Sequence, residues 1–279
     1  MKLTYLGTAA AEGWPAVFCN CKYCLQARAA GGRNIRTRSQ SLVNGDLLID
    51  FPADTYAHML KTGFDLSAVK YCFVTHSHID HFVPIDLLFR MESCYAHGMT
   101  SPRIDLYGNE AVAKRFERFV TGIDEEFGSQ PVGMHVVKAF RPVVVGDYEV
   151  TPLPAFHAPS ESAFVYLIKH SSGKTLLYLH DTGILPEETM AFLASARPKA
   201  DLISYDCTYV ALQSGGGHMG LDCVPELRKK LEALGVSGSS TVSVINHFSH
   251  NGMLIHDELV PVAERLGFIT AYDGLSLEF

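Results

Sequence analysis

The heptapeptide Thr75-His76-Ser77-His78-Ile79-Asp80-His81 constrains this chain more than any other stretch. Three histidines and one aspartate crowd together directly after the apolar run Tyr71-Cys72-Phe73-Val74. At a strand end, residues two apart point the same way, so His76 and His78 can present imidazoles to one point in space. A helix expected from about His81 to His97, with Phe82, Ile85, Leu88 and Phe89 on its apolar face, puts Asp80 and His81 at its start. Four potential ligands on one strand-to-helix turn can serve two metal ions.

The rest of the composition fits a packed α/β protein. Of 279 residues, 47% are hydrophobic and 19% charged, which argues against disorder. The formal net charge is −7 and the longest basic run is Arg228-Lys229-Lys230, so binding of a long nucleic acid through its phosphates is disfavoured. No apolar stretch approaches the roughly 20 residues of a membrane span, and Met1 to Leu6 reads as a strand, not as a signal peptide. Three of the seven cysteines cluster as Cys19-Asn20-Cys21-Lys22-Tyr23-Cys24. A reduced, cytoplasmic protein with a metal-binding cysteine cluster fits that pattern better than a disulfide framework. Cys72, Cys94, Cys207 and Cys223 read as buried fillers.

Taken in order, the chain opens with a strand at Leu3–Leu6 and a small-residue turn from Gly7. A long loop of about residues 12–39 shows little periodicity and needs a bound metal to order it. Ser41–Val43 and Asp46–Asp50 form a hairpin about Asn44-Gly45. A helix at Thr55–Thr62, a strand at Tyr71–Thr75 and a strand at Ile104–Tyr107 follow. Asn109 caps a helix bearing Val112, Phe116 and Val120, and Thr121 to Gly133 is assigned to a pocket wall. Between His135 and Tyr178 the pattern is β. Helices near Pro186–Ala196, Asp222–Leu234 and His256–Leu266 then alternate with strands at Leu202–Tyr205, Val242–Ile245 and Leu275–Glu278. Two β-rich halves with helices outside, in a single domain spanning 1–279, are the expected organisation.

Three more candidates follow apolar strands: His157, Asp181 and His247. With them the sequence resembles the metallo-β-lactamase-fold hydrolases over essentially its whole length, through Asp50, the His76–His81 motif, His157, Asp181 and His247. The resemblance implies a four-layer αββα sandwich. It also implies that His76, His78 and His157 hold one metal, that Asp80, His81 and His247 hold the other, and that Asp181 bridges them. Asp50 would brace the motif loop by hydrogen bonding. Imidazole and carboxylate ligands suit zinc, manganese or iron, and two adjacent ions can activate a shared hydroxide for attack on a phosphodiester. A β-lactamase of this fold generally has cysteine where Asp181 stands, so lactam cleavage is not expected.

Cys19, Cys21 and Cys24, with His250 three residues after His247, match a closed structural zinc site in a zinc-knuckle-like loop. His218, within Gly215-Gly216-Gly217-His218-Met219-Gly220, is placed to act as a general acid or phosphate contact. Asp80 and Asp181 are counted with it as catalytic. These features resemble the phosphoribosyl cyclic phosphate phosphodiesterases of the carbon–phosphorus lyase pathway, as do Gly7-Thr8, Pro15-Ala16 and Tyr272-Asp273-Gly274. The stretch Glu92–Val136 is longer than that family needs, and Tyr209–Ser214 departs from its pattern. The expected substrate is therefore a small cyclic or nucleotide-like phosphodiester, hydrolysed with two active-site divalent ions beside one structural zinc. Two other readings stand beside it: a transfer-RNA 3′-processing endoribonuclease, and a non-catalytic carrier like the pyrroloquinoline-quinone biosynthesis proteins. No membrane partner is expected, and oligomeric state, a homodimer included, stays open. His58, His97, His135, His170 and His256 read as packing or solvent-facing residues, and His180 is expected to point away from the metals.

Overall fold

A computed structural model describes residues 1–90, 95–121 and 132–279. Its strands are β1 (Lys2–Gly7), β2 (Gln40–Val43), β3 (Leu47–Ile49), β4 (Tyr71–Phe73), β5 (Ile104–Gly108) and β6 (Val132–Val136). They continue with β7 (Val143–Val145), β8 (Tyr148–Pro154), β9 (Phe164–His170), β10 (Thr175–Leu179), β11 (Leu202–Asp206), β12 (Val242–Asn246), β13 (Ile269–Thr270) and β14 (Ser276–Glu278). They form two seven-stranded sheets, ordered β14-β1-β2-β3-β4-β5-β6 and β13-β12-β11-β10-β9-β8-β7. The helices are α1 (Lys22–Ala30), α2 (Thr55–Thr62), α3 (Glu110–Thr121), α4 (Glu187–Ala196), α5 (Val224–Ala233) and α6 (His256–Arg265). Helices α2 and α3 cover the first sheet and α4 and α6 pack on the second. The result is the four-layer αββα sandwich that the sequence led us to expect.

Strand alternation builds the layers. Tyr5 and Phe73 join the large core shared by both sheets, whereas Leu6, Cys72 and Val74 turn outward and pack with Val112 of α3. Tyrosines close the gap between the sheets with hydrogen bonds. Tyr5 Oη donates to Ser204 Oγ at 2.8 Å, and Tyr166 Oη donates to the Val74 carbonyl at 2.6 Å, just ahead of the histidine motif. The parallel runs β3-β4-β5-β6 and β10-β11-β12-β13 place their C-terminal ends along one edge. Asp50, His76, Asp181, Asp206 and His247 all stand at or just past such ends, where ligands of parallel sheets bind.

The structure departs from expectation in three places. Among the described residues no α-helix directly follows the motif. A 3-10 segment, Pro84–Phe89, stands there instead, and the remainder of the expected helix falls partly on residues 91–94, outside the described residues. Two constraints forbid an earlier start: Pro84 keeps Val83 out of helical backbone, at φ −129° and ψ 88°, and Phe82 is drawn into a bridge with Phe51, in which Val83 N–H donates to the Phe51 carbonyl at 2.8 Å. Second, the 12–39 loop is not wholly irregular. Helix α1 forms directly after Cys21 but buries only Cys24 and Ala27, which leaves no periodic signal. Third, the short strand β13 was not anticipated. The Asn44-Gly45 turn is as expected, with φ of 48° and 91°. The pocket wall assigned to 121–133 lies mainly on residues 122–131, outside the described residues. Cys72 and Cys207 are buried, Cys223 is half-buried, and Cys94 lies outside the described residues.

Arg36 fastens the 12–39 loop to the sheet edge behind the site. Its side chain is buried and donates from Nη1 to Thr8 Oγ1 and the Ala271 carbonyl at 2.8 and 2.7 Å. Its Nη2 donates to His256 Nδ1 at 2.9 Å, and the guanidinium lies 4.2 Å from the Phe248 ring centroid. Burial and the adjacent Arg36 charge push His256 down from its ordinary 6.5 to about 4, so it folds as the neutral ring. A depressed histidine stabilises the fold above pH 6.5, and that stability is lost as pH falls toward 4. At pH 5 the loss from this residue amounts to about 2 kcal/mol. Urea-unfolding midpoints measured from pH 7 to 5 are expected to fall in the wild type and to fall less in His256→Gln, which keeps an acceptor for Arg36.

Candidate metal centre

Asp181 follows β10 at a left-handed φ of 55° and is buried, and five imidazoles surround its carboxylate. Its Oδ2 lies 2.9 Å from His81 Nε2, 3.2 Å from His76 Nε2, 3.4 Å from His157 Nε2 and 3.9 Å from His247 Nε2. Its Oδ1 lies 3.1 Å from His218 Nδ1. Asp80 Oδ2 approaches His81 Nε2 at 3.1 Å, and His78 turns Nδ1 toward His157 Nε2 at 3.2 Å. Asp50 and His247 share the left-handed backbone, at φ of 67° and 65°. Such conformations cost non-glycine residues on the order of 1 kcal/mol each and cluster at functional sites.

Four of the imidazoles are oriented from behind. His81 Nδ1 donates to Asp50 Oδ2 at 2.8 Å, while Asp50 Oδ1 accepts from Thr75 N–H and Oγ1 at 2.8 and 2.9 Å. With its hydroxyl proton given to Asp50, Thr75 Oγ1 is left to accept from His76 Nδ1 at 3.0 Å. Thr208 Oγ1 plays that part for His247 Nδ1 at 2.8 Å, its own proton directed to Asp206 Oδ2. His157 Nδ1 faces the Gly217 carbonyl at 3.3 Å. Four rings therefore point Nε2 lone pairs inward, the tautomer a metal ligand needs.

Two residues that sequence reasoning missed complete this support. Asp206 is buried at the end of β11 and accepts from the backbone N–H groups of Asp181, Thr208 and Met219 while facing His218 Nδ1 and His247 Nδ1 at 3.5 and 3.3 Å. Its signal was present: Leu202-Ile203-Ser204-Tyr205-Asp206 ends on a carboxylate just as Leu47-Leu48-Ile49-Asp50 does. Glu161 accepts from Ser77 N–H and Oγ at 3.0 and 2.8 Å and from Asn109 Nδ2 at 2.8 Å, which pins the outer side of the motif. No local pattern announces it. His180 is buried and bonds Ser204 Oγ at 2.6 Å, away from the cluster.

Electrostatics agree with a site built for cations. Burial opposes charge on His81, but Asp80 and Asp50 outweigh it and hold a second proton on the ring well above the usual imidazole range, at the Nε2 position where a cation would replace it. Burial pushes His157 down to about 4, leaving its lone pair free. Burial also opposes ionisation of Asp181, yet the surrounding histidines keep it well below the usual carboxylate range. For His218, burial is again outweighed, here by the neighbouring carboxylates of Asp181 and Asp206, and the ring is held up to about 11.

The residues fit divalent metals on a direct test. The Nε2 atoms of His76, His81 and His247 and Oδ1 of Asp181 are sealed from solvent and lie outside hydrogen-bond geometry. Buried polar atoms without partners are costly, and lone pairs converging from several sides suit a divalent cation. The ligand atoms of His76, His78, His157 and Asp181 form one group within 4.8 Å, and those of Asp80, His81, Asp181 and His247 form another. Asp181 stands in both. A further grouping, Asp181, Asp206, His218 and His247, meets the same distance limit.

Cys19, Cys21, Cys24 and His250 gather their ligand atoms within 4.8 Å of one another. His250 Nδ1 lies 3.4 Å from Cys21 Sγ and 3.8 Å from Cys19 Sγ, and Cys24 Sγ accepts from Ala16 N–H at 3.3 Å. Burial works against the Cys21 thiolate, but hydrogen bonds from the Cys24 backbone and His250 bring it down to about 6. Three sulfurs and one imidazole make a donor set suited to zinc.

The sequence matches the model of the beta-lactamase superfamily domain over residues 47–238, which contain every residue of the centre except His247. The chain belongs to the β-lactamase superfamily. No curated protein matches it. Among solved structures, a diphosphatase from the PhnP family is 23% identical at a TM-score of 0.74, the match covering 100% of this chain and 97% of that one. Zinc-bound PqqB from Methylobacterium extorquens is 20% identical at 0.73, with 100% of both chains covered. The short form of human tRNase Z is 17% identical at 0.65, covering 100% of this chain and 99% of that one. At such identities the resemblance is one of fold. A metallo-β-lactamase-fold hydrolase is the assignment these findings carry. Among the described residues no helix is long and apolar enough to cross a membrane.

Asp50 offers a test of the support behind the centre. Asp50→Ala removes the acceptor that fixes His81 and Thr75, and its affinity for active-site metal is expected to fall about 10–100-fold. Metal titration with a competing chelator checks this, with circular dichroism confirming that the sandwich persists.

Proposed function

We propose that the protein is a metal-dependent phosphodiesterase that hydrolyses a small cyclic or nucleotide-like phosphodiester. The observation that carries the proposal is the ring of inward Nε2 lone pairs about the Asp181 carboxylate. His76, His78 and His157 would hold one divalent ion and Asp80, His81 and His247 the other, with Asp181 between them. Zinc, manganese and iron all suit that nitrogen-and-oxygen set. A bound pair supplies Lewis acidity toward phosphoryl oxygens and a nucleophile at neutral pH. The chain's own residues do the rest. Asp50, Thr75, Thr208 and Asp206 fix the tautomers, and Asp80 and Asp181 balance the cationic charge. His218, 3.1 Å from Asp181 on its glycine-rich loop, stands where it can give a proton to a departing alkoxide.

Several features favour this over its rivals. Both carboxylates and all the imidazoles of a catalytic site are brought together, more than a carrier needs. The net charge of −7 weighs against a structured RNA substrate.

Metal-loaded protein is expected to cleave bis(p-nitrophenyl) phosphate, and chelator-stripped protein to lose that activity and regain it on reloading. Asp181→Ala and His78→Ala should each lower kcat/KM by roughly a hundredfold or more. His218→Asn should slow esters with alkoxide leaving groups roughly a hundredfold and p-nitrophenyl esters far less, because p-nitrophenolate leaves without a proton. Robust turnover by metal-free protein would overturn the proposal. About three metals per chain are expected, two in the centre and one among the cysteines; a single metal with no hydrolysis would favour a carrier.

A further inference from the structure

The cavity at the metal centre, of about 350 Å³, shares His78 and His157 as a wall with a second cavity of about 670 Å³. Ala155, Phe156, Ala158, Pro159, Gly216 and Gly217 give that second cavity its apolar surface. Phe156 is held there by its backbone: its N–H donates to Thr182 Oγ1 and its carbonyl accepts from Gly183 N–H, both at 3.0 Å. The side chain is nonetheless 57% exposed. An apolar ring kept in water by a pinned backbone, one residue from a ligand candidate, is a surface waiting for cover. Glycines keep the space beside it open. A Cβ on Gly183 would come within 2.7 Å of Phe156 Cδ1, and one on Gly217 within 2.7 Å of His157 Nδ1.

Charge narrows what can lie there. Among the described residues lining the two cavities, Glu12, Asp80, Asp181 and Glu161 contribute carboxylates and no lysine or arginine is present. Lys114 and Lys138 line a third cavity, which shares Glu161 as a wall with the apolar one. A second phosphate on the substrate, carrying roughly two negative charges, would have to pass Glu161 to reach them.

We propose that the substrate is a monoanionic phosphodiester with one uncharged aromatic arm, a nucleobase or aryl ring, seated between Phe156 and the Gly215–Gly217 loop, and with no second phosphate. Resting on the phosphodiesterase proposal above, it adds that Phe156 sets specificity through stacking.

Competition against bis(p-nitrophenyl) phosphate hydrolysis by the metal-loaded protein tests this with three ligands. They are adenosine 5′-(methyl phosphate), ribose 5-(methyl phosphate), which lacks the base, and the adenosine compound bearing an additional 3′-phosphate. The first is expected to inhibit about tenfold more tightly than either of the others. Phe156→Ala should abolish most of the difference between the first two, Phe156→Trp should restore it, and neither should change metal content. Equal inhibition by the base-free compound, tighter inhibition by the doubly phosphorylated one, or an equal effect of Phe156→Ala on all three would overturn the aromatic-arm inference alone. Absence of any bis(p-nitrophenyl) phosphate hydrolysis would overturn the phosphodiesterase proposal, and this inference with it.

Discussion

One buried carboxylate lies within 4 Å of five imidazoles, and everything else at the site is arranged to make that tolerable. Asp181 cannot be neutralised by a single proton while every ring nitrogen keeps a partner. The alternatives are several shared protons or a smaller number of divalent ions, and the tautomers decide between them. Because Asp50, Thr75, Thr208 and the Gly217 carbonyl engage the Nδ1 atoms, the Nε2 atoms face inward as lone pairs. A cluster meant to store protons has no need of hydroxyls and carboxylates behind each ring.

The sandwich supplies the rigidity this requires. Asp50, Asp181 and His247 leave their strands through left-handed backbone, which lifts each side chain over the sheet edge. The strain is affordable because each residue is over-determined by neighbours: Asp50 by Thr75 and His81, Asp181 by Asp206, His247 by Thr208. The apolar core beneath provides the surplus stability that such local costs consume.

The site was more legible in the sequence than its supports were. Ligand candidates fall at the ends of apolar strands, and strand ends can be read from hydropathy and turn residues, as at Asn44-Gly45. His76 and His78 are two apart, and the structure does bring both rings to one point. Long-range partners left no such trace. Glu161 meets Ser77 across 84 residues and Asn109 across 52, and nothing in its neighbours anticipates either. Asp206 could have been found, since its strand ends on a carboxylate as that of Asp50 does. The helix expected after His81 failed because apolar spacing was weighed above Pro84 and because the bridge from Phe82 to Phe51 is invisible in one dimension. Helix α1 was missed for a different reason: it is short and buries only Cys24 and Ala27, so its sequence carries no apolar period.

The pairing of distant segments at the two clusters has a consequence for how the protein matures. Cys19, Cys21 and Cys24 come early in the chain and meet His250 only after more than two hundred residues have been added. The pocket opposite waits in the same way for His247. During synthesis on the ribosome neither ligand set is complete until His247 and His250 have emerged. The metal binding proposed for both places would thus come late in synthesis, after the thiols of Cys19, Cys21 and Cys24 have been made.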